Sequence, residues 1–370
     1  MSNLPWYALQ NPEKVNSPAL LVYPDRIQQN IDTMLKMSED SEFLRPHVKT
    51  HKTAEIIQMQ LKSGISKFKC ATIAEAELLA QNDAKDVLLA MQPVGNNIDR
   101  FVALMQSYPS TAFSALFDDQ HNLNTIASKA KKSDITVRLW LDINNGMNRT
   151  GIAPHEKALQ LYQAAFERPN VEIMGLHVYD GHLRNTDPSQ RKVDCDQAFQ
   201  SVFDFSNRIQ SEGMPVPHIV AGGSPSFPFH CKRKGVEASP GTTLLWDAGY
   251  GGLFPEMDFK PAAVLLTRII SKPNENTICL DLGHKWLASE MNFPRVKFLN
   301  VKNWKQLGQS EEHFVVETEN AKDFEVGDVI YCIPMHICPT VAKQHHLQVV
   351  ENNEVTNTWL VAARNQSINL

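Results

Sequence analysis

The chain has 370 residues, with 36 Lys and Arg against 41 Asp and Glu and a net charge of −5. Hydrophobic residues make up 42% and charged residues 21%, which suits a globular protein with a sizeable core rather than a disordered or fibrous one. No basic stripe points to nucleic acid, no apolar run approaches the ~20 residues that cross a bilayer, and the start Met1–Tyr7 lacks the charged and apolar regions of a secretory signal.

Taken in order, residues 18–23 read as a strand, followed by a helical pattern through Ile27, Ile31, Met34 and Leu35. Strands are then expected at 43–48, 68–71, 87–91, 113–117, 136–142, 173–179 and 218–221, with an eighth inside 236–246. Between them, helices are expected at 54–61, 74–80, 98–105, 121–130, 156–166 and 198–209. Strands alternating with crossover helices mean a parallel sheet, and eight such units point to an α/β fold of the (β/α)8 TIM-barrel type. After residue 254 the helical periodicity fades, and short alternating runs at 263–270, 277–280, 314–317, 328–333, 347–350 and 357–362 predict an antiparallel β domain. The expected domains are a barrel over 18–254 and a β domain over 255–370 joined by 1–17; the 18–23 strand precedes the count of eight and fits either. The six cysteines lie without CxxC pairs and read as reduced thiols of a cytoplasmic protein.

Barrel enzymes place their chemistry at the C-terminal ends of strands, and several unusual segments fall there. In Arg45-Pro46-His47-Val48-Lys49-Thr50-His51-Lys52, Pro46 excludes a helix interior, so the segment reads as strand running into loop. A lysine crowded by other cations loses its proton more easily, and a neutral amine can attack a carbonyl. The same spacing also describes a solvated basic loop. Asp142 opens a Gly-containing turn that leads to Arg149-Thr150-Gly151. His177-Val178-Tyr179-Asp180-Gly181-His182 collects proton-transfer groups at one strand end, or else a buried histidine followed by a surface Asp-Gly turn. Gly222-Gly223-Ser224 follows an apolar strand and lets backbone N–H groups approach an anion; late barrel loops are favoured phosphate sites. In Pro334-Met335-His336-Ile337-Cys338-Pro339, a histidine and a cysteine two apart on an extended segment point to one side, and imidazole with thiolate suits Zn²⁺.

Arg45-Pro-His-x-Lys-Thr-His-Lys52 resembles the signature of the D-threonine aldolase and D-serine dehydratase family, which are pyridoxal-phosphate (PLP) enzymes with an alanine-racemase-like barrel and a second β domain. The likeness extends through Ala71–Glu77, Asp281–Lys285 and Glu312-His313, and runs from about Pro18 to Arg364. It implies that Lys49 carries PLP, that Arg149 and Tyr179 lie beside the cofactor, that Gly222, Gly223 and Ser224 hold its phosphate, and that His182 lies near the substrate's β-hydroxyl. It further implies that His336 and Cys338 hold a divalent metal, zinc or else manganese or magnesium, beside the cofactor, with Lys52 left as a charge that faces solvent or stands behind the site. The activity implied is a lyase acting on small D-β-hydroxy-α-amino acids in a homodimer. Cys338 at the second metal position leans towards a D-serine dehydratase; D-threonine aldolase is the alternative, and an amino-acid racemase the alternative of another class.

Overall fold

The computed structural model describes residues 4–38 and 40–370. The chain forms two compact units. One gathers Met34–Lys49, Ile57–Gly241 and Asn365–Leu370; the other gathers the residues up to Thr33, then Thr50–Ile56 and Thr242–Arg364. The chain's first strand, β1 (Ala19–Val22), belongs to the latter.

The barrel unit is built on seven parallel strands: β2 (Lys67–Cys70), β3 (Asp86–Leu89), β4 (Ala112–Phe117), β5 (Val137–Ile143), β6 (Val171–Val178), β7 (His218–Ala221) and β8 (Val236–Ala238). Each pairs with its successor in sequence. Residues 44–47 supply the eighth position: Leu44 bridges Ala238 of β8, and His47 bridges Lys69 of β2, both in parallel. Arg45 N donates to Ala238 O and Lys69 N donates to Pro46 O, each at 2.9 Å. Pro46 has no N–H to offer, so this segment stays a pair of bridges rather than a full ladder. The strand expected at 43–48 is shorter as a result, and Val48–Thr50 turns into one 3-10 turn that carries Lys49. Arg45, the first cation of the motif, is structural: its buried guanidinium pairs with Asp86 and Glu237, each at 2.6 Å.

The six helices expected between the strands are all found, five of them close to their expected bounds. The helix expected at 198–209 spans Pro188–Ser211, because Asp187 caps it, accepting from Gln190 N, and Pro188 fits its first turn. Its first turns bury Arg191 rather than an apolar side chain, so hydrophobic periodicity does not reveal them.

The second unit adds β9 (Ala263–Asn274), β10 (Thr277–Leu280), β11 (Val296–Phe298), β12 (Lys305–Gln309), β13 (Phe314–Glu317), β14 (Val329–Pro334), β15 (His346–Glu351) and β16 (Glu354–Leu360). The sheet order is β12-β13-β10-β9-β1-β15-β16, with β14 pairing β9 and β11. The expected antiparallel sheet is found with one parallel pair, β1 with β15. Its core gathers Leu21, Val264, Leu266, Tyr331, Ile333 and Val350. Asn352 and Asn353, at φ 52 and 65°, make the tight turn between β15 and β16. The division between units runs at 241/242 rather than at 254, and the strand at 19–22 lies in the β unit. The polar strand β12 and the three-residue β11 carry no readable alternation and were not expected.

Candidate active site

The C-terminal ends of the barrel strands open onto a cavity of about 510 Å³ whose lining includes Lys49, Lys69, Asp118, Arg149, His177 and Tyr179. Tyr179 sits among cations. The Arg149 guanidinium carbon lies 4.5 Å from its ring centre, Lys49 Nζ 5.9 Å and Lys69 Nζ 6.0 Å. Lys49 is placed by the turn that follows Pro46, where its N–H donates to His47 Nδ1 at 3.3 Å. Three of the expected residues, Lys49, Arg149 and Tyr179, are thus brought to one cavity.

Lys69 was not expected. It lies in β2, 2% exposed, with Nζ 3.5 Å from His177 Nε2, and His177 Nδ1 is 2.7 Å from Asp142 Oδ1. Burial, then the neighbouring Lys49, push the Lys69 amine down to about 7, against the pull of Asp142 and Asp180. Burial likewise lowers His177 despite its bond to Asp142, which keeps the imidazole neutral. The readable signal was a lysine inside the apolar run of an expected barrel strand, at a position where side chains point into the barrel.

The loop after β7 is fully buried at Ser224 and Ser226. Gly222 adopts φ 79°, and a Cβ there would meet His230 Cδ2 at 2.6 Å; one on Gly223 would meet the Tyr179 ring at 3.1 Å. Glycine is required at 222 for both conformation and space. Two amides expected to face an anion are already engaged: Gly222 N donates to Val178 O at 2.9 Å and Gly223 N to Ser226 Oγ at 3.2 Å. The Ser224 hydroxyl accepts from Gly241 N at 3.3 Å.

His182 is exposed, and its ring lies against Gly146, whose Cβ position is 3.0 Å from Nε2. Asp180 is 2% exposed rather than part of a surface turn. The Asp-Gly pair signals a turn but says nothing of whether that turn is covered. Lys52, expected to face solvent or to stand behind the site, is half-buried.

In the β unit, His336 and Cys338 come together by a different route from the one expected. The segment is not extended at Cys338: His336 stands at the N-terminal cap of the helix Ile337–Lys343, and Cys338 lies in its first turn, beside Pro339, a residue that helix starts accept. His336 Nδ1 meets Glu290 Oε1 at 2.5 Å, which leaves Nε2 as its remaining donor atom. Cys338 Sγ lies 3.2 Å from Thr50 Oγ1 and 3.6 Å from Thr242 Oγ1. Burial pushes the Cys338 thiol up, but the hydrogen bonds from His336 and Thr50 outweigh it and hold the thiol below its ordinary range. Burial pulls His336 down, and Cys338, then Glu290, raise it to about 9. A thiol and an imidazole thus lie together, with a carboxylate on the far ring nitrogen; these are two side chains of the types that ligate metals and the hydrogen bond that commonly orients such a histidine.

The family model described as "Alanine racemase, N-terminal domain" matches residues 22–247. The chain belongs to this family. A second model, "Putative serine dehydratase domain", matches residues 262–350. D-threonine aldolase of Arthrobacter sp is 25% identical over 95% of this chain and 93% of its own length. 3-Hydroxy-D-aspartate aldolase of Paracoccus denitrificans is 25% identical over 95% and 92%. The crystal structure of D-threonine aldolase from Filomicrobium marinum superposes with a TM-score of 0.87 at 23% identity, covering 98% of this chain and 99% of that one. The chain is an enzyme of the lyase class.

The alanine-racemase-like fold implies PLP. The residues present fit that cofactor. The barrel cavity offers a lysine amine and a tyrosine ring flanked by cations that attract an anionic ligand.

Proposed function

We propose that this protein is a PLP- and divalent-metal-dependent lyase that dehydrates D-β-hydroxy-α-amino acids to a 2-oxo acid and ammonia, in the manner of a D-serine dehydratase. The observation that carries this reading is the His336–Cys338 pair with Glu290 behind the imidazole. A soft thiolate ligand suits a zinc ion.

Lys49 would hold the cofactor, which supplies an electron sink for negative charge at the substrate's Cα. Lys69 and Arg149 make the cavity attractive to anions. The face of Tyr179 shapes its wall, and Gly223 leaves room for that ring. The Lys49 amine is the base for the Cα proton. Asp142 fixes the His177 ring, and the neutral imidazole leaves Lys69 able to change its own protonation. A metal ion on His336 and Cys338 would supply a Lewis acid for the β-hydroxyl. Loss of the Cα proton and the hydroxyl releases one water, and hydrolysis of the dehydrated product gives the 2-oxo acid and ammonia.

A second reading is retro-aldol cleavage to glycine and an aldehyde, favoured by the 25% identity to D-threonine aldolase. In it His182 and the metal take the proton of the same hydroxyl.

The test is product analysis with PLP and Zn²⁺ or Mn²⁺, offering D-serine and D-threonine separately. Pyruvate or 2-oxobutanoate with ammonia supports dehydration. Glycine with acetaldehyde from D-threonine overturns it in favour of the aldolase. Neither product, with no response to a chelator, removes both.

A further inference from the structure

Behind the glycine loop lies a cluster that the proposed chemistry does not use. Asp180, Cys195, Ser226 and His230 are all buried. Ser226 Oγ donates to Asp180 Oδ1 at 2.7 Å, and Asp180 Oδ2 meets His230 Nε2 at 2.7 Å. Cys195 Sγ is 3.4 Å from the same ring nitrogen, and Phe199 packs its ring 5.2 Å from the imidazole. Both residues come from the helix Pro188–Ser211. Asp180, Cys195 and His230 are close enough to share a metal ion. The geometry favours a proton instead: burial pulls the His230 ring down, but Asp180, 2.7 Å from Nε2, outweighs it and raises the ring to about 9, so Nε2 carries a proton aimed at Asp180. Burial works to raise Asp180, but His230 and then Ser226 outweigh it and keep the carboxylate ionised.

The cluster touches the site at two points. Through Ser226 Oγ it receives Gly223 N at 3.2 Å. Through the chain it fixes the residue that follows Tyr179, whose ring limits the space at Gly223. Arg191 holds the far end of the loop, its Nε donating to Pro225 O at 3.1 Å. The loop is therefore clamped from both sides by buried charged groups. A loop needed only as a turn would require no such clamp.

We propose that Asp180, Ser226 and His230 are positioning residues that set the backbone of the Gly222–Ser224 loop for a phosphate monoester, so that they govern affinity for the phosphate of the cofactor and not for its ring. This rests on the reading of that loop as the phosphate site of a PLP enzyme. Positioning of this kind acts by preorganisation: the loop need not reorder when the anion arrives.

The experiment compares PLP with pyridoxal, which lacks the phosphate, as ligands of the cofactor-free full-length chain, titrated by absorbance. The variants are Ser226→Ala, Ser226→Thr and His230→Asn, with thermal melting of each cofactor-free protein as the fold control. Ser226→Ala is expected to weaken PLP by roughly tenfold while leaving pyridoxal within about twofold. His230→Asn is expected to do the same, and Ser226→Thr, which keeps the hydroxyl, to restore the preference. If wild type itself binds both ligands equally, the phosphate reading of the loop fails. If wild type prefers PLP and the folded Ser226→Ala protein keeps that preference in full, the loop reading stands and the positioning role is overturned. Should Ser226→Ala not fold, the PLP-to-pyridoxal ratio of Ser226→Thr and His230→Asn decides in the same way.

Discussion

Thr50 Oγ1 lies 3.2 Å from Cys338 Sγ, and the residue before Thr50 in the chain is Lys49. The motif that supplies the expected cofactor lysine therefore also supplies, one residue later, a partner to the expected metal thiol. The Thr50 hydroxyl is one of the groups that hold that thiol below its ordinary range. Thr50→Val removes it, so the thiol should ionise at higher pH. The other five cysteines are buried, so alkylation of the metal-free protein by iodoacetamide reads Cys338. The midpoint of its rate against pH should move up; an unmoved midpoint would show that the hydroxyl contributes nothing.

Lys49 and Lys69 both line the cavity, and only one is expected to carry PLP. Borohydride reduction of the loaded enzyme followed by peptide mapping should mark Lys49. Lys49→Ala should lower kcat by roughly 10²–10⁴-fold or more, as expected for loss of the base at Cα. A label on Lys69 would reverse the assignment of the two amines.

The depressed Lys69 amine makes a prediction about stability. Held at about 7 when folded against an ordinary 10.5, it binds fewer protons in the native than in the unfolded chain between those values. Stability therefore rises with pH across that window, and the penalty of burying the charge is felt in full below it. Lys69→Met should raise the melting temperature of the cofactor-free protein, by more at pH 6.5 than at pH 9. An equal gain at both pH values would show that packing, not charge, is responsible.

Gly222→Ala should destabilise the protein by about 1–3 kcal/mol, because the residue sits at φ 79° and the new methyl would meet His230 and Ser226. Urea unfolding measures this. A change below a few tenths of a kcal/mol would mean that the loop can shift.

Glu290 meets His336 Nδ1 at 2.5 Å and would act through it on the proposed metal site. Glu290→Gln should weaken zinc by roughly 10–100-fold in competition with a chromophoric chelator. Retention of full affinity would separate the carboxylate from the ligand.

Much of this was legible in the sequence where local chemistry is strong. Strand ends followed by Gly-rich or basic segments marked where Lys49, Arg149 and Tyr179 fall, the family resemblance gave them a common site, and the alternation of strands and helices gave the ring of eight. What stayed hidden depends on burial at a distance. Nothing around Asp180 distinguishes a surface Asp-Gly turn from one covered by the helix that carries Cys195 and Phe199. His177 was given no role of its own in the sequence, yet it is the histidine that is buried against Asp142. The His336–Cys338 pairing was expected from strand geometry and is instead produced by the start of a helix.

The strand β1 has a consequence for synthesis. Its four residues are apolar and fully covered in the finished protein, and their antiparallel partners, such as Val264 opposite Leu21, are translated about 240 residues later. At ordinary rates of 5–20 residues per second that is a wait of roughly 12–50 s, during which a sticky segment leaves the ribosome with no neighbour to pair with. An amino-terminal fragment ending after the barrel would leave the same segment permanently bare. The chain is thus one unit of production even though it is two units of structure.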